Sequence, residues 1–264
     1  MRHGVFKEEL LKAFTSFRFY GAVLCMTALL YICTASEINL IGIEGHIGTA
    51  YYFYLCVDDS NTLGNIMLVV VALPFAIDFC SDYKNRYFRH IISRTSVNSY
   101  ICSKAIVCFI ATFCAIALGC ILYVASLCLF FPLANEYTSL IPEVYELAFP
   151  TEKYALLTLS FCILKRSFAA AFWGELALAA TSFIPNGFTA FFSPLIFNAL
   201  LNLVPGMLPD DISNYFNLIA ILGNSVPFDT WQFDLFYSCG LFIVLAAVCS
   251  VIFIRQARRL ITNA

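Results

Sequence analysis

One ionisable residue stands in the middle of an apolar run. It is Glu175, in Phe172-Trp173-Gly174-Glu175-Leu176. A carboxyl group at membrane depth is costly and faces a cavity or a partner. Two roles follow: a group on a substrate pathway or subunit seam, or a protonated acid hydrogen-bonded between helices. Asn198 and Asn202 are four residues apart, so they share one helical face. They suit a pathway wall or, more plainly, hydrogen bonds between helices. Gly119, Gly174 and Gly240 suit close helix contacts.

A second cluster of chemistry is basic. Asp78 to Ser99 holds Asp82, Lys84, Arg86, Arg89 and Arg94. Within it Tyr87, Phe88, Ile91 and Ile92 recur at i, i+1, i+4 and i+5, with the arginines around them. A short amphipathic helix between two spans suits docking into a groove on a cytosolic partner. Binding to lipid headgroups is the plainer alternative.

Other chemistry is missing from the sequence. There is no G-x-x-x-x-G-K-[ST], so no P-loop binds ATP, and no H-E-x-x-H. His3, His46 and His90 are scattered and suggest no metal site. No Ser/His/Asp set falls at membrane depth. The twelve cysteines include no C-x-x-C pair. They are expected to serve as small apolar residues.

These residues sit in a chain of 264 residues, 61% hydrophobic and 12% charged, with 27 Phe and a mean hydropathy of +0.83. A soluble domain carries about a quarter charged residues. Lipid is the natural solvent for this composition. It leaves no room for a soluble catalytic domain of ordinary size.

The pattern predicts an all-α integral membrane protein with six transmembrane helices. The spans are expected at about 19–35, 63–77, 100–130, 167–184, 188–204 and 233–254. Residues 1–18 read as an amphipathic interfacial helix. Val5, Phe6, Leu10, Phe14 and Phe17 lie on one side, with Glu8, Glu9 and Lys12 opposite. The two acids and the long leading segment argue against a cleaved signal peptide. Tyr154–Leu164, eleven residues closed by Lys165-Arg166, is too short to cross and reads as a separate interfacial helix. Residues 205–232 read as re-entrant or interfacial.

Charge fixes the expected orientation. With both termini in the cytosol, twelve of the fifteen cations fall inside, among them Lys84, Arg86, Lys104 and Arg255. Four acids join them. Twelve acids and three cations, Lys153, Lys165 and Arg166, fall outside. An excess of Lys and Arg in cytosolic loops is the expected signal.

At the basic loop the sequence resembles the ABC-2 type permeases, the membrane subunits of a class of ABC exporters. The features that match are Asp78 ending the second span, Asp82, the stretch Arg86–Ile92, Ser93-Arg94 and Ser103-Lys104 opening the third span. Val5–Phe17 resembles the family's connecting helix, and 205–232 its re-entrant helices. Ile184-Pro185-Asn186-Gly187 and Phe192-Ser193-Pro194 resemble small bacterial members.

The resemblance implies a permease in a bacterial cytoplasmic membrane. It would pair with a second permease chain and two ABC ATPase subunits. ATP and Mg would be bound by those ATPases, with no cofactor in this chain and no nucleic acid. Asp78, Asp82, Lys84, Arg86, Tyr87, Phe88, Arg89, Ile91, Ile92 and Arg94 would form the ATPase-coupling segment. The cargo would be hydrophobic or amphipathic. Among relatives, the length resembles peptide-exporter permeases such as those for phenol-soluble modulins. Two rival readings are an ion- or proton-coupled secondary transporter using Glu175, and a non-transporting immunity or scaffold subunit.

Overall fold

A computed structural model describes residues 3–41, 48–58, 67–88, 95–133, 151–203, 207 and 231–262. Among them the chain is all helical, with no strand. The helices are α1 (His3–Thr15), α2 (Phe17–Ile41), α3 (Thr49–Asp58) and α4 (Ala76–Lys84). They continue with α5 (Val97–Leu127), α6 (Thr151–Thr181), α7 (Gly187–Leu201) and α8 (Trp231–Thr262). Among the described residues, three stretches are long and apolar enough to cross a membrane: Phe17–Ala35, Val97–Leu127 and Gln232–Thr262.

Local signals set the boundaries. Ser16 divides α1 from α2. Its hydroxyl accepts from Phe19 N at 3.2 Å, satisfying a donor that the helix start leaves open. Ser96 caps α5 the same way, accepting from Ser99 N at 3.3 Å. Asn186 follows Pro185 and caps α7 through Phe188 N. These short polar residues compete for backbone donors and so start helices.

The second span differs from the expectation of one continuous helix. Residues 67–70 make one helical turn, 71–75 are turns, and α4 begins at Ala76. Pro74 explains the break. It has no N–H to give, and its ring would clash with the carbonyl of Val70. The chain bridges the gap with Leu73 N to Val70 O at 3.0 Å and Asp78 N to Phe75 O at 2.9 Å. Met67, Val71, Ala72 and Phe75 are all buried, so this irregular backbone is covered by protein. That is where non-helical backbone is tolerated at membrane depth.

A second correction concerns Tyr154–Leu164. It is the first part of α6 rather than a separate interfacial helix. Lys165 and Arg166 do not end a helix. They lie inside it, 1% and 4% exposed. At 1.5 Å per residue α6 is about 46 Å long. The segment expected to re-enter at 205–232 lies outside the described residues, apart from 207, 231 and 232.

Contacts fix the directions. Thr27 donates to Gly119 O at 3.1 Å, and Tyr31 meets Ser126 at 2.6 Å, so α2 and α5 run parallel. Phe113 packs on Phe168 while Cys108 reaches Gly174 O, so α6 runs back along α5. Phe172 packs on Phe242, and Glu175 meets Ser250, so α8 runs with α6. The turn at 182–186 sends α7 back along α6.

Two apolar clusters stack along the bundle. One joins Met26 and Leu30 of α2, Tyr52 and Phe53 of α3, Tyr123 of α5 and Trp173 of α6. The other joins Ala13, Phe79, Tyr100, Ala177, Phe253 and Ala257. The second cluster places α1, α4, the start of α5 and the end of α8 at one pole. Leu24, Ile32, Phe188, Ile196, Phe236 and Val244 are exposed apolar residues on the outside. An apolar exterior of this extent suits lipid.

Glycine allows the closest helix approaches. A Cβ on Gly119 would fall 2.8 Å from Met26 Cβ, and one on Gly174 would fall 2.7 Å from Thr112 Oγ1. Gly240 has nothing within 4 Å. Gly119→Ala and Gly174→Ala should each cost about 1–3 kcal/mol by forcing α2 or α6 away from α5. Gly240→Ala should be neutral or slightly stabilising. Thermal unfolding of the purified variants in one detergent checks the order.

Candidate functional site

α1 is amphipathic, but its buried stripe differs from the expected one. Val5, Glu9 and Ala13 are buried, and Phe17 is 89% exposed. Glu9, expected on the polar side, faces inward. The reason is tertiary: Lys104, near the start of α5, sits fully buried beneath it.

Lys104 is the centre of a charged knot. Its Nζ lies 2.8 Å from Glu9 Oε2 and 2.7 Å from Asp82 Oδ2, and it also contacts Asp78 Oδ2. Lys12, on α1, reaches Asp78 Oδ2 at 2.8 Å and Asp82 Oδ1 at 3.2 Å. Tyr100 donates to Asp82 Oδ2 at 2.9 Å. The Phe75 ring covers the ammonium at 4.7 Å from its centroid. Three elements are thereby tied together: α1 through Glu9 and Lys12, α4 through Asp78 and Asp82, and α5 through Lys104.

The i, i+4 spacing of Asp78 and Asp82 makes this possible, because it sets both carboxylates on one face of α4. The Glu9, Asp78 and Asp82 oxygens lie within 4.8 Å of one another, a spacing that suits a cation. The Lys104 ammonium already stands among them. The arrangement is therefore an ion-pair knot and not a metal centre.

Two carboxyls of the knot are pushed in opposite directions. Burial acts on Asp78 to raise it, but the Lys104 and Lys12 charges and hydrogen bonds outweigh that and hold it below its usual 3.8. At Glu9 burial wins over Lys104, and the carboxyl is held above its usual 4.5. The signs differ accordingly. Asp78 stabilises the folded state above the ordinary carboxylate range and loses that effect as pH falls through its folded value. Glu9 stabilises at low pH and loses its effect as pH rises through its own.

The expected coupling segment divides in two. Asp78 and Asp82 belong to the buried knot. Lys84, Arg86 and Tyr87 are exposed directly beyond it. Asn85 closes α4 with its N–H on Ser81 O at 3.0 Å. Arg86 then adopts φ 54°, the left-handed region that usually holds glycine. Phe88 is buried and stacks on Tyr83 at 5.7 Å. Arg89, Ile91, Ile92 and Arg94 lie outside the described residues.

The tentative pathway residues are not gathered at a cavity. Glu175 is fully buried between α6 and α8, with Ser250 Oγ at 2.7 Å. Asn198 is buried on α7, and Asn202 is exposed at that helix's carboxyl end, its N–H on Asn198 O. An apolar cavity of about 550 Å³ does exist, at the opposite pole from the knot. Tyr31, Ile32, Ala35, Ile38, Leu127, Phe130 and Phe131 line it, and none of these was singled out from sequence.

Sequence reasoning also missed a second buried ion pair. Lys165 lies 3.0 Å from Asp234 Oδ2, and Asp234 accepts from Ser238 at 3.0 Å. This pair ties α6 to the start of α8. The only sequence signal was the inconvenient Lys165-Arg166 inside an apolar region. The twelve cysteines, described in full, form no disulfide.

No protein-family model, curated protein or solved structure matches the chain.

Removing Lys104 leaves three carboxylates buried together. Lys104→Met should cost about 3–5 kcal/mol, the scale for a broken buried pair. Lys12→Met, whose side chain is 43% exposed, should cost less than about 1 kcal/mol. Asp78→Asn combined with Lys104→Met should recover part of the loss. Denaturant or thermal unfolding in detergent measures all three. In the unaltered chain, amide exchange should show α1 loosening as pH falls below the ordinary carboxylate range and through the depressed folded value of Asp78.

Proposed function

We propose that the chain is the membrane permease subunit of an ATP-driven exporter of the ABC-2 type. It works as a dimer, homomeric or with a second permease chain, with two ABC ATPase subunits docked at the pole of the knot. The chain crosses the bacterial cytoplasmic membrane six times, with both termini in the cytosol. Its cargo is a hydrophobic or amphipathic molecule such as a peptide toxin. ATP and Mg belong to the partner ATPases.

The observation that carries this reading is the knot and its position. Exposed Lys84, Arg86 and Tyr87 stand at the end of α4, and α4 is ion-paired to α1 and α5. A push on that turn reaches an interfacial helix and a long apolar helix through charged contacts. Coupling travels well through such a network of paired side chains and rigid helices.

Charge distribution gives further support. Lys7, Lys12, Arg18, Lys84, Arg86, Lys104, Arg255, Arg258 and Arg259 belong to α1, α4 and the turn after it, the starts of α2 and α5, or the α8 end that share this pole. That is the arrangement the positive-inside rule expects of a cytosolic face. The alternating directions of α2, the 67–84 passage, α5, α6, α7 and α8 suit six crossings. The apolar cavity at the far pole suits an exit for apolar cargo.

Reversal of the docking charges tests the reading. Arg86→Glu with Arg89→Glu should leave membrane insertion intact. It should lower cargo-stimulated ATP hydrolysis in the purified complex about tenfold, equivalent to about 1.4 kcal/mol of docking free energy. Native-membrane purification of the chain should bring an ABC ATPase with it. Unchanged coupling, or a complex without any ATPase, counts against the proposal.

A further inference from the structure

Glu175 is buried to 0% exposure where α6 meets α8. Its Oε2 lies 2.7 Å from Ser250 Oγ, and that same hydroxyl oxygen lies 3.0 Å from the Ala246 carbonyl. A serine hydroxyl owns one hydrogen. The Ala246 carbonyl has none to offer, so a bond there uses the Ser250 hydrogen. The 2.7 Å contact then needs a hydrogen of its own, and Glu175 is the remaining source.

The alternative is an ionised Glu175 that takes the Ser250 hydrogen. It would leave one hydrogen bond on Oε2 and none on Oε1, which makes no hydrogen bond among the described residues. Among the described residues no cation compensates it. On α5 it faces the Cys108 thiol, which donates to Gly174 O, and the Thr112 hydroxyl beside Gly174. On α8 it faces Ser250, with Cys249 adjacent. The α7 helix carries no titratable side chain. Asp78 and Asp82 of α4 are engaged with Lys104, and Lys104 is engaged with three carboxylates. Lys165 and Arg166 stand ten and nine residues earlier on α6, about 15 Å along its axis. A buried carboxylate without a counter-charge is far more costly than a neutral acid in the same place.

We propose that Glu175 is a proton-binding site, occupied at neutral pH, and that the bound proton ties α6 to α8. Glu175 Oε2–H donates to Ser250 Oγ, and Ser250 Oγ–H donates to Ala246 O. Release is a proton transfer alone. The Oε2–H bond breaks, and the proton passes to water or hydroxide entering from solvent. The carboxylate left behind breaks the ordered relay and loosens α8, whose last turns pack in the pole of the knot. The site is independent of any ATPase.

The test uses the full chain in lipid nanodiscs at neutral pH. The infrared difference between the unaltered protein and Glu175→Gln should contain the carbonyl band of a protonated carboxylic acid, shifted by D2O. Ser250→Ala should move that band to the frequency of a less hydrogen-bonded acid. Absence of the band from the difference spectrum overturns the proposal. Stability gives an independent readout. Glu175→Gln keeps a neutral donor and should melt with the unaltered protein, whereas Glu175→Leu should melt lower. Raising the pH should destabilise the unaltered protein more than Glu175→Gln. A Gln variant that misfolds, melts with the Leu variant or shows the same alkaline loss also overturns it.

Discussion

An ammonium group with no water around it must be surrounded by anions, and Lys104 imposes that requirement on everything near it. Desolvation of one charge costs several kcal/mol even after relaxation. Three carboxylates from two other helices meet the cost. Each of those helices is thereby fixed in position. α1 must turn Glu9 inward, against the pattern of its own sequence. The second passage must end its irregular stretch early enough for α4 to present Asp78 and Asp82 on one face. The break at Pro74 lets the chain re-aim, so the proline and the knot form one arrangement.

Among the described residues, ties through buried ionisable side chains hold the bundle at three levels. The knot joins α1, α4 and α5 at one pole. Glu175 and Ser250 join α6 to α8 nearer the middle, and Lys165 with Asp234 joins the same two helices towards the far pole. Between them lie tight contacts of small residues, Gly119 against Met26 and Gly174 against Thr112. In lipid, apolar side chains gain little by meeting one another, so close packing and polar pairs select partners and register. The α6 helix takes part in two of these ionisable ties. It is also the long helix whose interior carries Lys165, Arg166 and Glu175.

A transport reading makes use of this stiffness. The exposed turn at Lys84–Tyr87 is small, and alone it would bend. Its connection through α4 to a buried ion-pair knot gives a push on that turn a rigid load. The cavity among Tyr31, Leu127 and Phe130 lies at the other end of α2 and α5, the two helices that flank α1 in sequence or in the knot. In the proposed exporter, motion at one pole would reach the apolar space at the other through these two helices.

Composition and hydropathy alone determined the helical, lipid-solvated class of the chain. They also located its three long apolar helices, because burial of apolar area in lipid depends on residue type and run length. The turn at Pro185-Asn186-Gly187 is local, so the start of α7 was legible too, whereas the cap at Ser96 starts α5 three residues before the apolar run that hydropathy marks. The sequence also singled out Asp78, Asp82 and Glu175 as residues with chemistry. What they touch was decided by the tertiary structure alone. Ion pairs spanning 26 to 95 residues of sequence, such as Lys104–Asp78 and Lys104–Glu9, leave no periodic trace. The same holds for Lys165, which local hydropathy read as a helix end and Asp234 turned into a helix interior. A charge looks like a boundary until the fold supplies its partner, since only then does burial cost less than exposure to lipid.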